Sequence, residues 1–132
     1  GVATLVTLGA VVLAFVADEQ MRAFRRDAGN GGLSMEFGLW AHSRHPNYLG
    51  EVSTWWGLFL FALAQGLAWW WTGVGALAIT VMFVFVSVPM MERRALATRR
   101  GYREYREVTP MLLPALRRAS RAADQAEASS AE

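Results

Sequence analysis

The sequence predicts an all-α, multi-spanning membrane protein with three transmembrane helices and a C-terminal interfacial helix. Three observations carry that expectation. Residues 52–91 form a run of 40 without one Asp, Glu, Lys, Arg or His; as a helix it would measure about 60 Å, twice a hydrocarbon core of about 30 Å. The 132 residues are 54% hydrophobic, with six Trp and seven Phe, which suits lipid as solvent better than water. Charge is also segregated: four arginines lie between the first two apolar stretches, nine follow Met91, and none lies between.

The first predicted span is residues 1–17, uncharged but only about 25 Å long as a helix, and so cut short. The chain starts at Gly rather than Met and lacks the basic region and cleavage signal of a secretory peptide, so residue 1 is read as internal to a longer protein with further spans upstream. A loop at residues 27–38 follows, with Gly29, Gly31, Gly32 and Gly38 supplying turn chemistry. No Gly-Lys-Ser/Thr follows it, which excludes a P-loop. Pro46 breaks any helix through the loop, and Asn47 is placed to cap the second span, residues 49–65.

Gly66 permits a turn, and Trp69, Trp70 and Trp71 form an aromatic belt at the far interface. The third span is residues 70–91, with Pro89 expected to kink or end it. Residues 92–106 alternate Arg and Glu with two tyrosines and read as an interfacial helix continuing from that span. Residues 1–115 thus form one membrane-embedded domain, and 116–132 a frayed or disordered tail. The positive-inside rule puts the Arg-bearing segments in the cytoplasm, in a membrane of the bacterial inner type.

All 13 basic residues are Arg, so the pI near 9.7 rests on guanidinium groups suited to phosphate and carboxylate. Cysteine is absent, which excludes disulfides, thiolate nucleophiles and Cys metal sites. The densest group of functional side chains is Arg44, His45, Asn47, Tyr48 and Glu51, at the mouth of the second span. An ionised Glu51 there needs a partner, since a charge in the hydrocarbon costs about 2.5–3.5 kcal/mol, and Arg44, Arg93 and Arg94 are the candidates. Either these groups form an ion pair that fixes helix packing, or they hold a polyanionic, nucleotide-like ligand.

A second cluster, Glu92, Arg93 and Arg94 followed by Arg99, Arg100, Tyr102 and Tyr105, faces the same side; in one continuous helix Arg94 and Tyr102 share a face. A basic helix lying on anionic lipid is the alternative there. His42 and His45 have a metal-compatible spacing, but Pro46 disfavours the helix it would need, so no metal site is expected.

The run GLWAHSRHPNYLGEVSTWWGLFLFAL, with ADEQMRAFRRD before it and MERRALATRRGYREYREVTPMLLP after it, resembles the DUF1295 family over roughly residues 10–115. That family is similar to the C-terminal domain of the steroid 5-alpha-reductases and, more distantly, to the isoprenylcysteine carboxyl methyltransferases. The resemblance implies a helical bundle closing over a nucleotide on the cytoplasmic side while an apolar substrate enters from the membrane. For the reductase branch it implies NADPH and a lipid-like enone, with Asn47, Tyr48, Glu51 and Tyr105 on the cofactor side.

Arg44, Arg94 and Arg100 are added as guanidinium partners for a phosphorylated nucleotide. The reductases place their substrate-polarising acid and tyrosine in an N-terminal half, so no catalytic residue is assigned in this chain. Glu92-Arg93-Arg94 stands where the reductases carry paired His, a form that looks more like the methyltransferases and keeps S-adenosylmethionine as the alternative cofactor. A noncatalytic membrane module is the third reading. The partners expected are membrane lipid and an apolar small molecule, not nucleic acid.

Overall fold

The computed structural model describes residues 1–114; the tail expected at 116–132 lies outside the described residues. Helices dominate, and among the described residues the only β-type pairing is an isolated parallel bridge between Leu33 and Arg100. Helix α1 runs Val2–Arg26, nine residues past the predicted end of the first span. The charged extension stays helical because it supplies its own support. Glu19 pairs with Arg22 at 2.7 Å, one turn along, and Arg25 and Arg26 sit in the last turn, where cations complement the helix dipole.

Helix α2 runs Pro46–Gln65, with His45 in the capping position and Pro46 in the first turn. Asn47 is therefore inside the helix and not its cap. Proline at the first position sacrifices only an N–H that has no helical partner anyway, and the helix starts there. Gly66, at φ +148°, ends it. A 3₁₀ segment at Leu67–Thr72, bearing the exposed Trp69, Trp70 and Trp71, leads into α3 (Gly73–Met82).

Pro89 does not end the next helix. A π-helical turn at Phe83–Ser87 precedes α4 (Val88–Thr98), and the Val88 N–H donates to the Phe83 carbonyl five residues back. The proline ring crowds the carbonyl four residues before it, that of Phe85, and the widened turn accommodates it. Leu67–Thr98 is consequently one rod of 32 residues.

Two helices, Val2–Arg26 and Leu67–Thr98, are long and apolar enough to cross a membrane. Only 11% and 17% of their apolar windows are buried, where the core helix of a water-soluble domain would be mostly covered. Phe15, Leu77 and Phe85 are among the large side chains left facing outward. Helix α2, with Asn47, Glu51, Ser53 and Thr54 in its first turns, is not one of those two helices.

Helices α1 and α2 pack antiparallel through small residues. A Cβ on Gly50 would stand 2.6 Å from the Ala14 nitrogen and 2.8 Å from the Ala10 carbonyl oxygen, so only glycine lets the two backbones approach this closely. One helix diameter away, Trp56 Nε1 donates to Thr80 Oγ1 at 2.9 Å and ties α2 to α3.

The interfacial helix predicted over residues 92–106 is two pieces. Gly101, at φ +74°, breaks the chain, and α5 (Tyr102–Val108) starts in a new direction. The break is used for pairing. The Arg100 N–H donates to the Gly32 carbonyl at 2.7 Å, and Ser34 Oγ donates to the Arg100 carbonyl at 3.1 Å, which fastens the glycine-rich loop to the α4–α5 corner.

Candidate functional site

Trp40 anchors the loop on which the site is built. Its ring is buried with Ala17 and Met35, and its Nε1 donates to the Ala17 carbonyl at 3.1 Å. Tyr105 Oη lies 2.5 Å from the Trp40 carbonyl oxygen and 3.2 Å from that of Ser43, so α5 holds the loop from the other side. The Arg44 N–H donates to the Pro110 carbonyl at 2.9 Å. Between them these bonds set the segment from Trp40 to Pro46 rigidly beneath α2.

The centre of the assembly is Glu92, on the first turns of α4 and only 5% exposed. Its Oε1 lies 2.6 Å from Arg44 Nη1 and 3.1 Å from His45 Nε2, and its Oε2 lies 3.3 Å from Arg106 Nε. The Arg44 contact is a close ion pair without the alignment of a hydrogen bond. Arg44 Nε and Nη1 and Asn47 Oδ1 are all buried without a hydrogen-bond partner. Unsatisfied donors and acceptors of this kind are costly in a finished core, and they point to groups kept for a ligand.

Burial, the largest influence, lowers the His45 pKa from 6.5; the Glu92 hydrogen bond and charge oppose this, and Arg44 adds to it. The imidazole is therefore neutral at pH 7, and its proximity to the carboxylate assigns the proton to Nε2. The ring stacks on Tyr48, centroids 5.2 Å apart and planes 8° apart, and Tyr48 in turn packs on Phe83 at the π-helical turn. Burial pushes the Tyr102 phenol up to about 12, with the Glu92 charge adding to the shift.

A cavity of about 370 Å³ opens beside this cluster, between the charged end of α1, the loop, α2, α4 and α5. Of the residues singled out from the sequence, Arg44, His45, Asn47, Tyr48, Tyr102 and Tyr105 line it. Tyr105 does so with its hydroxyl already committed to two carbonyls.

Glu51, Arg94 and Arg100 do not line it, and all three are exposed. Gly50 is the position turned against α1, so Glu51, about 100° round the helix, emerges at the surface and needs no buried partner. Arg44 pairs with Glu92 instead. Arg94 and Tyr102 do not share a face, because the helix that would align them breaks at Gly101. Arg100 contributes its backbone, and it is Arg99 that reaches the lining, with Nη1 donating to the Leu33 carbonyl at 2.9 Å.

The α1 contribution was missed from the sequence. Asp18, Met21, Arg22 and Arg25 line the cavity, and their spacing of three and four is the signal that would have found them once the helix was extended past Ala17. Glu92 was placed in the second cluster and read as a mark of the methyltransferase branch, not as the partner of Arg44, although a lone acid between an uncharged span and two arginines calls for a buried cationic partner.

Residues 1–109 match a family described as proteins of unknown function, DUF1295. The chain belongs to the DUF1295 family. The match takes in all five helices, and with them the whole of the Glu92 cluster and the cavity of this DUF1295 chain. No curated protein and no solved structure matches it.

Proposed function

We propose that this DUF1295 chain is an integral membrane protein crossing the bilayer three times, through α1, α2 and the Leu67–Thr98 rod, and that its cavity binds NADPH for the reduction of a lipid-like enone. The Arg-bearing loop and α5 then lie on the cytoplasmic face of a bacterial-type inner membrane, with the three tryptophans at the opposite interface.

The observation that carries the nucleotide reading is the charge of the cavity wall. Arg22, Arg25, Arg44 and Arg99 contribute four guanidiniums and Asp18 the one carboxylate on the lining; with Glu19 paired to Arg22 and Glu92 to Arg44, one positive charge remains in excess. A wall of that sign attracts phosphates and opposes a sulfonium cation. Glu92, the feature that favours S-adenosylmethionine in the sequence, is engaged by Arg44, His45 and Arg106.

The residues fit the group in kind: Arg44 Nε is a buried donor and Asn47 Oδ1 a buried acceptor, both without protein partners. Tyr48, stacked on His45, offers a planar face, and about 370 Å³ is within the range of small-molecule sites. When bound, NADPH supplies a hydride to a polarised carbon–carbon double bond. Arg99, Arg44 and Asn47 would hold it, and Met21, Met35 and Met91 give the cavity an apolar side for substrate.

Titration of the full chain in detergent with NADPH and, separately, with S-adenosylhomocysteine tests this. Saturable NADPH binding is expected, weakened about 10- to 100-fold by Arg99→Ala, as loss of a charge-assisted contact of about 1.5–3 kcal/mol requires. Asn47→Ala is expected to weaken it up to about tenfold. Binding of S-adenosylhomocysteine alone would favour the methyltransferase reading, and binding of neither a noncatalytic module.

A further inference from the structure

Behind Arg44, on the side away from the cavity just described, lies a second and more open basin of about 520 Å³, lined by Arg44, Leu96, Arg103, Arg106 and Glu107. Arg44 is common to the walls of both. We infer that this basin binds the anionic phosphodiester headgroup of a membrane phospholipid. The inference uses the membrane placement proposed above and is independent of the nucleotide.

The first argument is charge. Three guanidiniums meet here, and the carboxylates that face them are Glu107 on the lining and Glu92 beneath. One cation is left over, and one monoanionic phosphodiester neutralises it.

The second is unused bonding capacity. Arg44 Nη1 is taken by Glu92, but Arg44 Nε is buried without a hydrogen-bond partner, and Arg103 makes none of the Glu92 contacts. Guanidinium forks with free N–H groups match the paired oxygens of a phosphate.

The third is the form of α5. Tyr102 and Tyr105 are its buried face, and Arg103, Arg106 and Glu107, spaced by three and four, present the opposite face outward. Leu96 closes the basin on its apolar side and is exposed, as is Val108, which follows Glu107 in the chain. An apolar rim has no use for free phosphate, whereas a phospholipid brings acyl chains with its phosphate.

The test is a titration of the full chain in detergent with short-chain phosphatidylglycerol, phosphatidylcholine and inorganic phosphate, read by native mass spectrometry. Phosphatidylglycerol is expected to bind saturably, at least tenfold tighter than phosphatidylcholine, and to resist displacement by millimolar inorganic phosphate. Arg103→Ala with Arg106→Ala should weaken it at least tenfold. Because Arg106 also pairs with Glu92, Arg103→Ala alone is the second variant and should weaken binding several-fold with the fold intact by circular dichroism. The charge-matched pair Arg26→Ala with Arg94→Ala, both exposed and neither on the lining, should leave it unchanged.

Equal binding of the two lipids, displacement by phosphate, an unaffected Arg103→Ala, or an equal loss in the control pair would each overturn the assignment. The NADPH titration on the same samples fails or succeeds separately. Extraction of the chain from membranes without detergent would remove the placement on which the lipid inference stands.

Discussion

Replacing Glu92 by Gln keeps the side-chain shape and removes the charge shared by Arg44, His45 and Arg106. Three cationic or polar partners converge on that carboxylate, and two of them are as buried as it is: the Arg44 side chain is 12% exposed and that of His45 9%. Arg106, at 47%, can turn to water. The loss is therefore an unpaired, buried Arg44, and removing one partner of a buried pair costs about 3–5 kcal/mol. Glu19→Gln removes an acid of similar geometry from exposed partners, where about 0–1 kcal/mol is at stake.

In a domain of this size each kcal/mol moves a thermal midpoint by about 4 °C, so Glu92→Gln should melt some 10–20 °C lower and Glu19→Gln within about 4 °C of the parent. Thermal unfolding in detergent, followed by circular dichroism, measures both. Adding Arg44→Met to Glu92→Leu should recover most of the loss, since an apolar pair can replace a buried ion pair at little cost. A Glu92→Gln midpoint within 3 °C of the parent would show that water reaches Arg44 and that the cluster does not hold the loop.

His45 is neutral in the fold because burial lowers its pKa below 6.5. The unfolded chain then binds the extra proton first as pH falls, so stability is complete above pH 6.5 and declines below it; a pH series of melting points should show this slope, and His45→Asn should flatten it. Tyr102 behaves in the opposite sense: with its phenol raised to about 12 against 10 unfolded, its contribution is intact below pH 10 and lost from 10 to 12. Absorbance at 295 nm should show tyrosine ionisation extending to about pH 12, and Tyr102→Phe should remove the part that titrates latest. Gly50→Ala should force α1 and α2 apart and destabilise by about 1–3 kcal/mol, while Gly75→Ala, with no atom within 4 Å of its new carbon, should be neutral or stabilising in the same thermal assay.

Much of the fold was legible because apolar run length is a one-dimensional property. The uncharged stretch from Val52 to Met91 encodes α2, the Trp-bearing turn and the rod, and Gly66 marks the turn between them. Where the reading failed, the deciding physics was not local. Charges in residues 18–26 looked like the end of a helix, but i,i+3 pairing carries α1 on to Arg26. Pro89 was expected to kink or end the third span; it does not end it, and a π-helical turn carries the rod past it. Residues 92–106 were expected as one helix; α4 instead ends at Thr98, with Arg99 extended and Gly101 at a positive φ, so Arg94 and Tyr102 do not share a face, and it is Arg99 that lines the cavity. Of the motif Arg44, His45, Asn47, Tyr48 and Glu51, the first four line one cavity and Glu51 does not; the acid beside them is Glu92, 47 residues beyond His45 along the chain.

That long-range pairing decides which residues can report on function. Arg44 forms part of both basins and is also the principal partner of Glu92, so a change at Arg44 alters nucleotide binding, headgroup binding and the loop together. Arg99 belongs only to the first basin and Arg103 only to the second, and neither touches Glu92. If the two basins are separate sites that share one wall, Arg99→Ala and Arg103→Ala must each impair one ligand and spare the other. If they are two ends of one site, each substitution must impair both. The double-mutant cycle between Arg99 and Arg103 therefore separates the two architectures, with additive losses expected for distinct sites and an interaction energy above about 0.5 kcal/mol for a single ligand bridging Arg44.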